Sequence, residues 1–306
     1  MDGASPGAGA GAQADVRMDA CPAAQAGAGT GALEGVGDGS SAGAGNGSSA
    51  GEGTGARAEA KAGAGTGSRT VEPPLLKFCG LRLAGDCQAA WRLGADLAGF
   101  IFHPGSPRRV SPAEAAAADT GGLVRVGVFV AQGASEILEI MDEAALDLAQ
   151  FHGRQTLKDA AQIGPERVVR VFWPERHAED GSLDRELAEW RDAARMFLFD
   201  AGGSGGGHGR SLAGGLDFLA RAGKPSLLAG GLGPAILAKL PDLAASAMLA
   251  GFDLNSGVES SPGVKDYGLM AAATAAAKAL RVCGREGLDR EALRTRSPAG
   301  QGPGGP

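Results

Sequence analysis

Cys79 closes the apolar run "LLKFC" and is followed at once by Gly80. Asp200 closes "MFLFD" and is followed by a glycine-rich stretch. A thiol and a lone carboxyl, each displayed where an apolar run stops, could pass protons to and from one bound molecule. Free cysteine is also a common small core residue, so the run alone leaves Cys79 open between packing and chemistry. Cys87, inside an amphipathic stretch, reads as packing. The "FLF" before Asp200 implies partial burial, which would raise a carboxyl pKa and favour the protonated acid. A cap is the bland reading of Asp200, but a cap is usually followed by helical residues, and "AGGSGGGHGRS" is a glycine loop.

Three stretches could hold an anion: the loop Gly202–Ser211, the turn "AGGLGP" (Ala229–Pro234) and "DLNSGVES" (Asp253–Ser260). Glycine lets backbone N–H groups approach a phosphate, and helix N-termini favour one. Each alone is an ordinary turn; three in succession point to a phosphate cradle. In "HPGSPRRV", two prolines stiffen a loop that carries Arg108 and Arg109. A guanidinium on a rigid loop suits a planar carboxylate, and Arg109 reads as a surface residue. His103 and His152 also follow apolar runs, where a lone histidine is more often a hydrogen-bonded structural residue. No metal-ligand spacing is visible. The residues therefore describe a site for a small phosphorylated molecule bearing a carboxylate, held between a thiol and a carboxyl group.

Short apolar runs alternate with helical patterns from Leu75 onward. The predicted strands are Leu75–Cys79, Leu97–Phe102, Arg125–Val130, Leu148–Phe151, Val168–Phe172, Met196–Asp200, Ser226–Ala229 and Ala247–Leu254. Between them, "AGDCQAAWRLG" places Cys87, Ala90, Trp91 and Leu93 near one face. "SEILEIMDEAAL" does so for Ile137, Ile140, Met141 and Ala144, and "SLDRELAEWRDAAR" for Leu183, Leu187 and Trp190. Ser111, Pro112 and Glu114 have the spacing of a capping box. Eight strands alternating with helices predict an α/β fold, the (β/α)8 TIM barrel. An open doubly wound sheet has the same local patterns, but no GxGxxG follows the first strand. In such a barrel the chemistry lies at the C-terminal ends of the strands.

The chain has 306 residues and 53 glycines, many of them before residue 71. Residues 1–70 are a Gly/Ala/Ser tract with too little apolar surface to offset the entropy of ordering, and are expected to be disordered. Residues 71–283 are expected to form the barrel, and 284–306 a polar, disordered tail with room for one short helical stretch. The net charge is −6 with no basic block, so nucleic acid is not an expected partner. No apolar run is long enough to span a membrane, and the start lacks the pattern of a signal peptide. The four cysteines are scattered and read as reduced thiols of a cytoplasmic protein.

From about Lys77 to Ala279 the chain resembles the phosphoribosylanthranilate isomerase family of tryptophan biosynthesis. The resemblance rests on "KFCGL", "GADLAGFIFHPGSPRRVSP", "RVGVFV", "LDLAQFHG", "AGGLGP" and "DLNSGVESSPGVKD", in that order. It implies a (β/α)8 barrel and an Amadori rearrangement without a cofactor, in a monomer or homodimer. By this resemblance Asp200 occupies the general-acid position and Cys79 the general-base position. Arg108 corresponds to the arginine facing the anthranilate carboxylate. Gly209, Gly230, Gly231, Ser256 and Gly257 correspond to the phosphate cradle. Gln150, His152 and Asp253 match polar positions that could touch substrate. The loop "GGGHGRSLAGG" departs from the family pattern, with His208 in place of a hydroxyl residue and Arg210 in place of lysine, and Asn255 stands where serine is common. Other phosphate-binding barrel enzymes, an epimerase or an aldolase, and a non-catalytic barrel are the alternatives. An aldolase would want a lysine ending an interior strand, and Lys77 lies before the tip of its strand.

Overall fold

The computed structural model describes residues 71–177, 181–201, 216–240, 248–285 and 287–294. Eight parallel strands follow one another around a closed barrel: β1 (Leu75–Phe78), β2 (Leu97–Ile101), β3 (Val124–Phe129), β4 (Leu148–Phe151), β5 (Val168–Phe172), β6 (Met196–Asp200), β7 (Ser226–Ala229) and β8 (Leu249–Leu254). β8 pairs back onto β1, with Lys77 opposite Asp253. The helices are α1 (Ala84–Arg92), α2 (Pro112–Ala117), α3 (Ala134–Glu143), α4 (Leu157–Ile163), α5 (Ser182–Trp190), α6 (Asp217–Arg221), α7 (Pro234–Leu237), α8 (Tyr267–Ala279) and α9 (Arg290–Leu293). A short antiparallel pair, β9 (Glu259–Ser261) and β10 (Val264–Lys265), follows β8. The predicted strands are all present; four have the predicted bounds, and β1, β2, β3 and β8 differ at their ends by one or two residues. Cys79 lies just beyond β1, yet its N–H still donates to the Leu254 carbonyl at 2.9 Å, so β8 fixes its direction.

The strands are buried on both sides, which is why they read as continuous apolar runs. Leu75, Leu97, Val126, Leu148, Val169, Val171, Met196, Leu198 and Leu227 pack inside the barrel. Leu76, Phe78, Phe100, Phe129, Phe151, Phe172, Phe197 and Phe252 pack under the helices. The helices supply matching faces: Ile137 and Met141 from α3, and Leu183, Leu187 and Trp190 from α5, are buried. The α2 cap forms as its spacing predicts, with Ser111 Oγ accepting from Glu114 N–H at 3.2 Å and the Glu114 carboxylate accepting from Ser111 N–H at 2.7 Å. Thr156 and Asp159 cap α4 in the same way. One predicted face shifts. Cys87 and Ala90 of α1 are buried, but Trp91 is 41% exposed, its ring covered by the Arg290 guanidinium 4.9 Å from the centroid. Trp91 lies about 100° around the axis from Ala90, beyond the stripe that α1 turns inward.

Arg290 belongs to the segment expected to be a polar, disordered tail with room for one short helical stretch; α9 is such a stretch, and it is packed onto the barrel rather than loose. Asp289 caps α9, accepting from Ala292 N–H at 2.7 Å, and Leu288 and Leu293 are buried among the lowest inward residues of the barrel. Arg285 and Arg290 both approach Asp96 Oδ1, at 3.4 Å. Two leucines in a polar stretch are too few to announce a packed element. They are ordered because the N-terminal end of the barrel presents an apolar floor that one turn of helix can seal. Residues 1–70 and 295–306 lie outside the described residues. Among the described residues, no helix is long and apolar enough to cross a membrane.

Candidate active site

At the C-terminal end of the barrel the inward positions change character. Ile101 and Val128 pack against Cys79. The remaining inward positions there include Gln150 and His152 from β4, Asp200 from β6 and Asp253 from β8. Because every strand runs the same way, Cys79 and Asp200 lie at the same end, displayed from β1 and β6 with β7 and β8 between them. Cys79 is buried, with 4% of its surface exposed, and Asp200 is half-buried, as its apolar flank predicts. Asp200 stands opposite Ala229 in the β6–β7 register.

Below Cys79, inside β1, Lys77 is almost fully buried. Its ammonium Nζ donates to Asp253 Oδ1 at 2.9 Å. The neighbouring strand contributes Gly99, and its lack of a side chain is what admits both groups. A Cβ there would stand 2.9 Å from Cys79 Sγ and 3.2 Å from Lys77 Nζ. Burial disfavours a charge on Lys77, but Asp253 and the sulfur outweigh it, so the amine's pKa stands above its ordinary value. For Cys79 the balance runs the other way. Burial pushes the thiol up, Asp253 adds to this, and Lys77 and Lys265 pull it down without cancelling the burial. His152 is pushed down to about 4, chiefly by burial, and is therefore a neutral imidazole. Its ring packs edge-on against Trp173 with centroids 5.2 Å apart, and Gln150 Nε2 lies 3.5 Å from its Nδ1. Gln150 Oε1 is buried with no hydrogen-bond partner among the described residues.

Arg108 reaches the same end from the loop after β2. Its stem packs over Gly80, whose φ of 68° turns the chain away from β1; a Cβ there would come within 2.9 Å of Arg108 Cδ. The guanidinium is already engaged by a carboxylate of its own chain: Nε and Nη2 donate to Glu259 at 2.9 and 2.7 Å. Lys265 Nζ donates to the same carboxylate at 2.8 Å and to Asn255 Oδ1 at 2.9 Å. Burial would raise the Glu259 carboxyl, but these two cations hold it below its ordinary pKa. Arg109 is exposed, as expected.

Two of the three anticipated anion-binding stretches are described. After β7, Gly230 and Gly231 take φ values of 109° and 67°, a turn that only glycine makes without strain. After β8, Ser256 and Gly257 lie in a 3-10 turn pressed against it. A Cβ on Gly257 would come within 2.1 Å of the Leu232 carbonyl. The backbones after β7 and β8 thus meet at the mouth with no side chain between them. Gly209 lies outside the described residues. Among the described residues no cluster of histidine, cysteine and carboxylate side chains could hold a metal ion.

The family model for N-(5′-phosphoribosyl)anthranilate (PRA) isomerase matches residues 76–276. The chain belongs to the PRA isomerase family. A relative named N-(5′-phosphoribosyl)anthranilate isomerase, from Desulfovibrio desulfuricans, is 46% identical over 209 residues, covering 66% of this chain and 95% of its own. The crystal structure of phosphoribosyl anthranilate isomerase from Thermus thermophilus superposes with a TM-score of 0.55 at 33% identity, over 66% of this chain and 97% of that one. A family structure solved in complex with reduced 1-(o-carboxyphenylamino)-1-deoxyribulose 5-phosphate is 26% identical, with a TM-score of 0.53, over 68% of this chain and 100% of that one.

Glu259 and Lys265 of this end were not singled out from the sequence, and Lys77 was weighed only as a lysine placed too early in its strand for an aldolase. Lys77 was legible in principle, since its place between Leu75 and Cys79 on a period of two puts it on the inward face. Glu259 and Lys265 gave no signal, because their partner Arg108 lies 151 residues from Glu259 along the chain.

Proposed function

We propose that this chain isomerises N-(5′-phosphoribosyl)anthranilate to 1-(2-carboxyphenylamino)-1-deoxyribulose 5-phosphate, the family's step in tryptophan biosynthesis. The observation that carries this reading is the coexistence, at one end of one barrel, of a thiol, a half-buried carboxyl, a guanidinium and two abutting glycine turns. These match the parts of the substrate: a sugar to be opened, a carboxylate and a phosphate.

In this reading the phosphate lies on the backbone N–H groups around Gly230, Gly231, Ser256 and Gly257, with Gly209 on the sixth loop. The guanidinium edge of Arg108 not taken by Glu259 meets the anthranilate carboxylate. Asp200, protonated, donates its proton to the furanose ring oxygen. The C1′–O bond breaks, and the anthranilate nitrogen's lone pair forms the Schiff base. Cys79 as thiolate then takes the C2′ proton, and the freed electron pair neutralises the imine nitrogen, leaving an enol. The enol loses its hydroxyl proton and gains one at C1′ to give the ketone. The substrate neither gains nor loses a proton overall, so Asp200 and Cys79 reset by exchanging one with solvent. In the same reading Gln150 and His152, a neutral polar pair, hydrogen-bond sugar hydroxyls.

The test is a direct assay. Purified protein given freshly generated N-(5′-phosphoribosyl)anthranilate should consume it and form the aminodeoxyribulose phosphate. The gene should also restore growth without tryptophan to a strain lacking this step. Absence of turnover by folded protein would overturn the reading.

A further inference from the structure

The family reaction asks Cys79 to act as a thiolate, yet the sulfur is buried, and burial opposes the anion. An isolated thiol of pKa about 8.5 is already only a few per cent ionised at neutral pH. The opposing influence lies one turn of the pleat below. Lys77 Nζ and Cys79 Sγ share the space over Gly99, and Asp253 holds the ammonium from the other side at 2.9 Å. An ammonium carries three N–H donors, so the bond to Asp253 leaves others to aim at the sulfur.

We propose that Lys77, fixed by Asp253, is the positioning residue that stabilises the Cys79 thiolate. The geometry is a buried file of carboxylate, ammonium and sulfur running up the inside of β8 and β1. Burial opposes the charge on Lys77, and Asp253, together with the sulfur, more than offsets it, so the amine's pKa is raised rather than lowered. When the thiol loses its proton to solvent, the new negative charge sits beside a cation already in place. Other charged groups bear on the sulfur as well. Lys265 from β10 favours the thiolate and Asp253 opposes it, and Arg108 packs over the adjacent Gly80. His152, across from Lys77 and Asp253, stays neutral above pH of about 4. Gly99 is part of the device, since any side chain there would part sulfur from ammonium.

The proposal rests on Cys79 being the base, and its test reads the thiol itself. The ultraviolet absorbance of the Cys79 thiolate, taken as the difference between the protein and Cys79→Ser, is titrated with pH. It is measured in the wild type, in Lys77→Met, in Asp253→Asn, and in the variant that carries both. The double variant leaves no orphaned carboxylate and keeps the test sound if Lys77→Met alone fails to fold. An opposite charge within about 4–6 Å moves a titration by roughly 1–3 units. The titration should therefore move to higher pH, and kcat/KM at neutral pH should fall about tenfold or more with the pH–rate profile moving likewise. A titration that lies no higher in the folded double variant than in Asp253→Asn overturns the role of Lys77 and leaves Cys79 untouched. Full activity of Cys79→Ser would instead overturn the underlying base assignment.

Discussion

The two ends of this barrel are built from the same eight strands and do opposite things. At the N-terminal end, Leu75, Leu97, Val124 and Leu148 meet Leu288 and Leu293 in a dry apolar floor. Two residues further along each strand, the interior holds Lys77, Asp253 and Gln150, and then Cys79, His152 and Asp200. Lys77, Asp253, Gln150 and Cys79 are buried like the floor, while Asp200 and His152 are half-buried; the lower layer gains from exclusion of water and the upper layer is strained by it. The difference shows that in a parallel barrel, stability and chemistry can be separated by height alone, since a step of two residues keeps a side chain inside but changes its layer.

That separation can be broken from above and from below. Asp200→Asn should lower kcat by about 10²–10⁴-fold, the usual worth of a positioned acid, and leave the thermal midpoint nearly unchanged. A fall in midpoint as large as a core truncation would show that the upper layer also carries stability. Leu293→Ala should do the reverse, costing about 2–5 kcal/mol by denaturant unfolding while kcat/KM per folded molecule holds. His152 sharpens the comparison because it is an upper-layer group with a cost to the fold. Its pKa falls from 6.5 to about 4 on folding, so the unfolded chain binds its proton first. Stability is therefore fully present above about pH 6.5 and is lost as pH drops towards 4, by up to about 3 kcal/mol. Unfolding free energies measured across that window should slope in the wild type and flatten in His152→Gln. An unchanged slope in the variant would assign the acid sensitivity elsewhere.

The strands, the α2 cap, the faces of α3 and α5 and the partial burial of Asp200 were all legible in the sequence, because each is set by neighbours within a few residues. The α9 plug was not legible. Two leucines carry no periodicity, and what orders them is an apolar floor assembled from strand starts across the whole barrel. The same limit hid Lys77. In a parallel strand buried on both faces, inward and outward positions are equally apolar, so nothing marks a lysine as paired until β8 places Asp253 beside it, 176 residues along the chain. Arg108 was found as a cation on a stiff loop, but its engagement with Glu259 depends on the β9–β10 hairpin folding over that loop, which no local pattern encodes.

The most direct test follows one hydrogen. Substrate carrying deuterium at C2′ is given to the wild type and to folded Cys79→Ser, and the deuterium is followed by mass spectrometry. Removal of that hydrogen by Cys79 predicts that the wild type releases the label to solvent during turnover while the variant leaves it at C2′. Release by the variant at the wild-type rate would contradict the assignment of Cys79 as the base.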